Sequence, residues 1–270
     1  MNDPVLIVVQ ARMASTRLPG KVLMELGGQP MLLRMLERLQ RVRTPHCIVV
    51  ATTTDAEDDP IERLCFRHGI AVYRGHPTDL LDRHYRAAQA FGGGAVAKIP
   101  SDCPLIDPVI VDRVLARFAQ RDCDYASNLH PATYPDGNDV EVMGFEALQA
   151  AWHEAELPME REHTTPFIWE RPERFRLANL VWQDAQGRAM PDRSMSHRWT
   201  VDYPEDYRLV SAVFDELYPV NPLFGPSEIV ALLDRRPDIA VLNARYCGVN
   251  WYRHHLDQLK TVDQRQTRIL

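Results

Sequence analysis

The sequence predicts an α/β protein in which helices cover both faces of a mostly parallel sheet, giving three layers, α/β/α. Short apolar runs alternate with polar loops and with segments of helical spacing, and this order is typical of such a sheet. The 270 residues, 45% of them hydrophobic, suit one large α/β domain or one domain with an arm. The first apolar run, Val5–Val9, leads directly into a polar, basic loop. A loop in that place lies at the carboxyl edge of the sheet, where open α/β folds bind ligands.

Four apolar runs in the first hundred residues are predicted strands, because each is short, largely apolar and bounded by turn residues. The segments that follow them carry apolar residues at helical spacing, and Pro30 stands where a helix begins. Because crossovers between parallel strands are right-handed, the loops after the strands should share one edge. The predicted strands are 5–9, 47–51, 70–73 and 95–99, and the predicted helices are 30–43, 59–68, 79–91 and 108–120.

The sequence pattern changes near Ser127, where prolines and a glycine interrupt the alternation of predicted strands and helices. We interpret residues 1–245 as a single domain, with 127–197 as an inserted arm or lid that contacts a sugar and a second subunit. Residues 246–270 are polar and are expected to form a loosely docked helix or tail. The further predicted strands are 139–143, 176–181 and 198–201, and the further predicted helices are 145–155, 160–169, 205–217 and 227–235.

Bulk properties exclude several classes of protein. The formal net charge of -6 argues against a nucleic-acid binder, and no apolar run approaches the ~20 residues of a membrane span. The five cysteines include no Cys-x-x-Cys pair, which argues against a disulfide framework or a zinc site and favours the cytoplasm. An early Asp3 without a basic segment predicts no secretory leader.

The loop after the first strand concentrates positive charge in an acidic chain. Arg12, Arg17 and Lys21 are cations, and Ser15 and Thr16 are neutral donors beside them. Backbone N–H groups in such a turn can surround an anion, and charged side chains add strong hydrogen bonds, so the expected ligand is a polyphosphate. For any single cation the alternative is a solvated surface residue. The glycine spacing of neither a Walker A loop nor a dinucleotide fingerprint is present.

Two acidic residues are candidates to bind a metal ion. Asp102 and Asp202 each come just after a predicted strand, so both carboxylates should reach the edge that carries the basic loop. One or two carboxylates together with phosphate oxygens are what Mg²⁺ needs, with Mn²⁺ possible in its place. Without metal, repulsion between them is expected to raise at least one pKa. For Asp102 the alternative is a helix N-cap or turn residue.

The basic loop resembles a known signature. Residues 12–21, Arg-Met-Ala-Ser-Thr-Arg-Leu-Pro-Gly-Lys, are similar to the loop of the cytidylyltransferases that make CMP-activated acidic sugars. The resemblance is greatest to the SpsF-like spore-coat polysaccharide branch and weaker to CMP-Kdo and CMP-acylneuraminate synthetases. Residues 101–108 and 201–206 resemble the family's Gly-Asp-x-Pro and Asp-x-Pro-Glu-Asp blocks. These blocks occur in order over about 1–215.

The resemblance implies a Rossmann-like, GT-A-like fold of the nucleotide-diphospho-sugar transferases. It implies an enzyme that transfers CMP from CTP to an acidic or deoxy sugar, with release of pyrophosphate, in surface polysaccharide biosynthesis. The metal-binding residues then fall on Asp102 and Asp202, and Asp102 is also expected to be catalytic together with Arg12 and Lys21, which hold the triphosphate. Ala11 and Ser15 join the nucleotide site.

Three further residues are singled out by the resemblance. Residues 79–83 look like a family stretch near the nucleotide, and Arg83 there would reach base or phosphate; the alternative is an exposed Arg83 paired with Asp79. Residues 136–141 and 161–164 resemble the SpsF-like branch, which makes Glu141 and His163 candidates to bind the sugar. A His163 with a structural role is the alternative to a general base.

Two other functions and one assembly stay open. A glycosyltransferase that uses a nucleotide sugar is disfavoured by the density of cations in the first loop. A non-catalytic nucleotide-binding scaffold is supported only by Pro100 and by Ser101, which replaces the usual glycine. The aromatic residues of the arm region suit a homodimer interface, or alternatively the arm's own small core. These aromatic residues are Trp152, Phe167, Trp169 and Trp182.

Overall fold

The fold is that of a computed structural model, which describes residues 4–184 and 186–269. Asp3 lies outside the described residues. The strands are β1 Val5–Gln10, β2 Glu25–Leu26, β3 Gln29–Pro30, β4 His46–Thr53, β5 Ala71–Gly75, β6 Ala95–Pro100, β7 Tyr125–Ser127, β8 Glu141–Gly144 and β9 Leu177–Asn179. The helices are α1 Met31–Leu39, α2 Asp59–Arg67, α3 Leu80–Phe91, α4 Pro108–Phe118, α5 Phe145–Glu154, α6 Pro158–His163, α7 Pro166–Trp169, α8 Pro204–Leu217, α9 Pro226–Arg235 and α10 Pro237–Ala240.

Seven strands form the main sheet, in the order β5-β4-β1-β6-β8-β7-β9. The first four are parallel, β8 runs antiparallel to both of its neighbours, and β9 is parallel to β7. The predicted mostly parallel sheet is therefore confirmed. β2 and β3 form a small separate hairpin.

Strand β1 shows why there are three layers. Its residues alternate between two apolar cores, since Ile7 and Val9 face the helices α1, α2 and α4. Leu6 and Val8 face the other core, with α3 and α5. Successive side chains of a strand point to opposite faces, so a strand that is apolar throughout requires a cover on both sides. A third core joins α8, α9 and α10 around Trp199.

The predicted strand at 198–201 is wrong. Arg198 makes a single β-bridge with Asp136, and Val201 N–H donates to the Asp102 carbonyl at 2.8 Å. The segment therefore pairs with loops beyond the strand ends, so that no ladder forms. It still brings Asp202 to the edge of the sheet.

The segment from 127 to 197 enters the main sheet. β8 lies between β6 and β7, and β9 forms the sheet's last strand. Of the aromatic residues named as a possible interface, Phe167, Trp169 and Trp182 are buried within the protomer. Trp152 is half-buried and stacks on Tyr85 with ring centroids 4.4 Å apart. Phe167 and Trp169 lie in the core of α3 and α5, and Trp182 lies in the core of α1, α2 and α4, so these rings join the main cores of the domain rather than a separate core of the arm.

Residues 246–269, here called the C-terminal segment, are docked onto the domain. Leu259 and Val262 are buried in the core of α3 and α5. The carboxylate of Glu170 accepts a hydrogen bond from the backbone N–H of Thr261 at 2.9 Å. The C-terminal segment is therefore packed against the domain and is not the loosely docked tail that was expected.

His84, on α3, should make stability depend on pH. It is fully buried, its Nδ1 lies 2.8 Å from the Leu80 carbonyl, and burial lowers its pKa to about 3. A folded-state pKa below the unfolded value of about 6.5 means that protons bind the unfolded chain first. The free energy of unfolding should therefore be about 2 kcal/mol lower at pH 5 than above pH 6.5.

We expect His84→Gln to remove this contribution of His84 to the loss of stability between pH 7 and pH 5, as measured by urea unfolding. The exposed His68→Gln is the control, and equal pH slopes for both variants would contradict the assignment.

Candidate active site

A cavity of about 1220 Å³ lies at the carboxyl edge of the parallel strands. This volume exceeds the roughly 300–1,000 Å³ of ordinary ligand sites, so the cavity has room for more than one small molecule. The loops after β1 and β6, the stretch 128–139, the stretch 192–203 and the C-terminal segment border it.

The loop after β1 is held in shape by short local contacts. Gly20, with a φ of 71°, adopts the left-handed conformation that only glycine takes readily, and its N–H donates to the Met13 carbonyl at 2.9 Å. Ser15 Oγ accepts from the Leu18 N–H at 3.3 Å. Asp58 anchors the loop by accepting from the Met13 N–H at 2.6 Å. Ser15 thus fixes the loop, and its side chain also borders the cavity.

Lys21 joins the two acidic residues. Its Nζ lies 3.1 Å from Asp102 Oδ2 and 3.0 Å from Asp202 Oδ1, and it donates to the Val201 carbonyl at 2.6 Å. Burial opposes the charge of Lys21, but the two carboxylates outweigh it and raise the pKa of the ammonium. Two carboxylates a hundred residues apart in sequence therefore share one cation at the cavity wall.

Three cationic side chains form ion pairs with Asp202. Besides Lys21, Arg17 Nη2 lies 2.9 Å from its Oδ1 and Arg198 Nη2 lies 2.8 Å from its Oδ2. Burial works against ionisation, but Lys21, Arg198 and Arg17 outweigh it and hold the pKa of Asp202 below its usual value. Repulsion between the two carboxylates does not raise the pKa of Asp202, because the three surrounding cations lower it.

Arg198 is the centre of a buried network. Its guanidinium contacts Asp136 at 3.0 Å, Asp202 at 2.8 Å and Asp206 at 3.1 Å. It also donates to the Val249 carbonyl at 2.6 Å. One planar group with five donors satisfies all four, which a lysine could not do.

Loss of Arg198 should destabilise the protein strongly. Arg198→Ala would leave the buried carboxylate of Asp206, and the neighbouring Asp136, without the cation that pairs with them, and we expect the free energy of unfolding to fall by about 3–5 kcal/mol. Urea unfolding at pH 7 measures it. Arg208→Ala, at a side chain 60% exposed, is the control and should cost well under about 1 kcal/mol. Similar losses for both variants would contradict the central role of Arg198.

The other residues predicted to bind nucleotide differ in their surroundings. Ala11 is buried, and its N–H donates to the Ala51 carbonyl at 3.1 Å. Arg12 is exposed at the cavity and makes no side-chain hydrogen bond or ion pair within the described residues. Arg83 is buried and borders the cavity, and its guanidinium donates to the carbonyls of His76 and Pro77. The alternative for Arg83, an exposed partner of Asp79, does not occur.

Glu141 lies at the floor of the cavity in a buried ion pair. Its Oε1 is 2.5 Å from Lys98 Nζ, and its Oε2 accepts from the Tyr125 hydroxyl at 2.7 Å. Burial opposes the negative charge, but Lys98 and His130 outweigh it and lower the pKa of Glu141. Glu141 is therefore an ionised acceptor at the end of β6 and β8.

His163 borders the cavity beside an aromatic ring. Its imidazole stacks on Trp251 with centroids 3.7 Å apart. Burial, then Lys98, lowers the pKa of His163 to about 3. A neutral imidazole with so low a pKa is a weak general base, so packing and hydrogen bonding are the roles left to it.

Sequence reasoning missed Lys98, Asp139 and the C-terminal segment. Lys98 carried a usable signal, since a lysine inside an apolar strand must find a partner when buried. Asp139 is half-buried near Asp102 and Glu141, and desolvation followed by those charges raises its pKa to about 6. Nothing in the sequence connects the C-terminal segment with the cavity, because that contact depends on docking.

Within residues 4–184 and 186–269, no group of three or more His, Cys, Asp or Glu side chains is arranged to hold a metal ion by itself. In the same part of the chain no helix is long and apolar enough to span a membrane.

A mostly parallel sheet whose carboxyl edge gathers a basic loop and two carboxylates around one cavity defines a nucleotide-binding α/β enzyme. The chain belongs to the cytidylyltransferase family, whose sequence model matches residues 6–221. This confirms the resemblance to that family.

Individual relatives agree with the family. The spore coat polysaccharide biosynthesis protein SpsF of Bacillus subtilis is 31% identical over 250 residues, covering 89% of this chain and 98% of the relative. The 3-deoxy-manno-octulosonate cytidylyltransferase of an Acidovorax species is 28% identical, over 63% of this chain and 67% of its own. A solved cytidylyltransferase structure from Leptospira borgpetersenii superposes with a TM-score of 0.78 at 29% identity, covering 88% and 95% of the two chains.

Proposed function

We propose that this protein transfers CMP from CTP to a sugar and releases pyrophosphate, in the biosynthesis of a surface glycan. The main support for the proposal is that Lys21 contacts both Asp102 and Asp202 at the wall of the cavity. The exposed Arg12 borders the same cavity. A triphosphate needs cations, and a sugar needs the remaining space. The names of the relatives support the choice of CTP and of a glycan.

The chemistry asks the protein chiefly for alignment and charge neutralisation. A sugar oxygen attacks the α-phosphorus, the bond to the bridging oxygen breaks, and pyrophosphate leaves. Arg12 and Lys21 would hold the triphosphate and stabilise the charge that grows on the leaving group. Ala11, Ser15 and Arg83 would shape the nucleotide side of the cavity.

The two carboxylates fit a divalent cation. Asp102 and Asp202 both lie within 3.1 Å of one ammonium, so they are already spaced to share a single cation. Carboxylate oxygens are the ligands that Mg²⁺ prefers, and Mn²⁺ accepts the same set. Such an ion would neutralise phosphate charge when bound. Glu141 and His163 would contact the sugar.

A pyrophosphate-release screen tests the proposal. CTP, UTP, ATP and GTP are each paired with a panel of acidic, deoxy and neutral sugars, with Mg²⁺ present. We expect release that depends on both CTP and one sugar. Binding of CTP without release for any sugar would favour a non-catalytic scaffold. Transfer from a CMP-sugar, without release from CTP, would favour a glycosyltransferase.

The homodimer is proposed through a different surface of the segment 127–197. β9 is the last strand of the main sheet, and the nearby Leu177 and Val181 are 38% and 41% exposed. An open strand edge with exposed apolar side chains is a site for pairing with another chain. We expect a dimer mass by light scattering at micromolar concentration, and a monomer for Val181→Glu. A monomeric wild type would refute the dimer.

We also propose a cytoplasmic location, where nucleoside triphosphates are available as substrates. The proposal rests on the cysteine pattern in the sequence and on CTP as the expected substrate. Cell fractionation followed by detection of the protein tests it, and recovery outside the cytoplasmic fraction would refute it.

A further inference from the structure

The C-terminal segment contributes a wall of the cavity, although it lies beyond the region 6–221 that the family shares. Nine residues between 248 and 266 border the cavity. The segment is tied to the acidic site, because Arg198 donates to the Val249 carbonyl at 2.6 Å while it also holds Asp202. Arg268 N–H donates to the Gly248 carbonyl at 2.7 Å, which closes the segment on itself. These two hydrogen bonds fix the wall to the acidic site and to the end of the segment.

The wall presents aromatic surface to the cavity. Trp251 is half-buried, stacks on His163 at 3.7 Å, and meets Tyr252 edge-on at 4.6 Å. Because His163 covers one face of the half-buried Trp251, the opposite face and the edge of the indole are what remain for a ligand. The ring of a sugar has C–H bonds that suit the negative face of an indole, and hydroxyl groups around its rim.

Polar groups stand next to this aromatic surface. His255 lies 5.9 Å from Trp251 between ring centroids, and its Nδ1 is buried with no hydrogen-bond partner among the described residues. The charge of Glu141 reaches Tyr252 and, after the larger effect of burial, raises the pKa of its hydroxyl. An unpartnered buried polar atom on the same wall as a tyrosine hydroxyl is suited to a ligand that carries several hydroxyl groups.

Lys98, whose charge acts on His163 beside Trp251, is already paired, since it lies 2.5 Å from Glu141. The triphosphate is expected beside Arg12 instead, because that exposed cation borders the cavity and has no ion-pair partner within the described residues. The two substrates of one reaction can thus occupy separate parts of the cavity.

We infer that Trp251, Tyr252 and His255 form the binding wall for the sugar, against which a monosaccharide stacks on Trp251. The inference rests on the proposed function and adds the residues that choose the sugar. It implies that the C-terminal segment contributes to selectivity for the sugar, together with Glu141 and His163 of the shared region.

The test uses the full chain labelled with 5-fluorotryptophan, with the Trp251 signal assigned from Trp251→Phe. The probes are CTP, 3-deoxy-manno-octulosonate, N-acetylneuraminate, glucose and N-acetylglucosamine. We expect the sugar that supports pyrophosphate release to shift the Trp251 signal, and CTP alone to leave it in place. Trp152, half-buried and outside the cavity, supplies the internal control signal.

Kinetics give the second readout. Trp251→Ala should raise KM for the sugar about tenfold, the size expected for loss of a good aromatic contact. The values of kcat and of KM for CTP should change less than about twofold, and Trp251→Phe should recover most of the loss. Turnover of a sugar without a Trp251 shift, or with an unchanged sugar KM in Trp251→Ala, overturns the inference alone. A sugar-induced shift without any pyrophosphate release upholds the wall and defeats the proposed reaction, whereas the absence of both overturns the wall as well.

Discussion

Replacement of Lys21 by Ala is expected to lower kcat by about 10²-fold or more while the fold stays intact. Lys21 begins a helical turn right after the loop and lies against both carboxylates, so its charge is held where phosphate charge must be neutralised. An electrostatic contact that strengthens in the transition state affects kcat more than it affects binding of the substrate. Steady-state pyrophosphate release at saturating CTP and sugar measures the effect.

Two controls separate catalysis from folding. Lys260→Ala removes a lysine whose side chain is exposed, and should leave kcat unchanged. Circular dichroism and urea unfolding of Lys21→Ala should show a folded protein, because Arg17 and Arg198 still balance Asp202. Near-normal turnover in Lys21→Ala would remove Lys21 from the mechanism.

Asp102 and Asp202 are expected to behave as one unit in catalysis. Each single change to Asn should weaken both turnover and its dependence on Mg²⁺ or Mn²⁺. The double variant should be little worse than the worse single variant, since groups that serve one cation lose their shared function together. A double-mutant cycle on kcat/KM at saturating metal measures the coupling. We expect at least about 10²-fold from the worse single change.

Asp202 also has a structural partner, so stability must be measured beside activity. Asp202→Asn keeps the shape of the side chain but weakens its contact with Arg198. The variant Asp122→Asn, at an exposed carboxylate paired with Arg117, is the control for loss of a surface charge. Strictly additive losses for Asp102→Asn and Asp202→Asn would mean that the two residues do separate tasks.

The sequence pattern alone was enough to predict the three-layer sheet and the position of the basic loop after the first strand. The strand 5–9 is apolar at every position, which demands cover on both faces and therefore three layers. The loop that follows it, with Arg12, Arg17 and Lys21, had to lie at the carboxyl edge because a parallel strand ends there. These conclusions need only local pattern and the rules of strand direction.

Only the tertiary structure decided which charges meet. Lys21, Asp102 and Asp202 contact one another across gaps of 81 and 181 positions, and no local pattern encodes such pairs. The burial of Trp169 and Trp182 within the protomer likewise depends on which surfaces pack. The position of Trp251 at the cavity could not be predicted from the polar sequence around it. The C-terminal segment docks through Leu259 and other residues that contact distant parts of the chain. Local periodicity is a property of neighbouring residues, whereas a site is assembled by packing between segments that the sequence keeps apart.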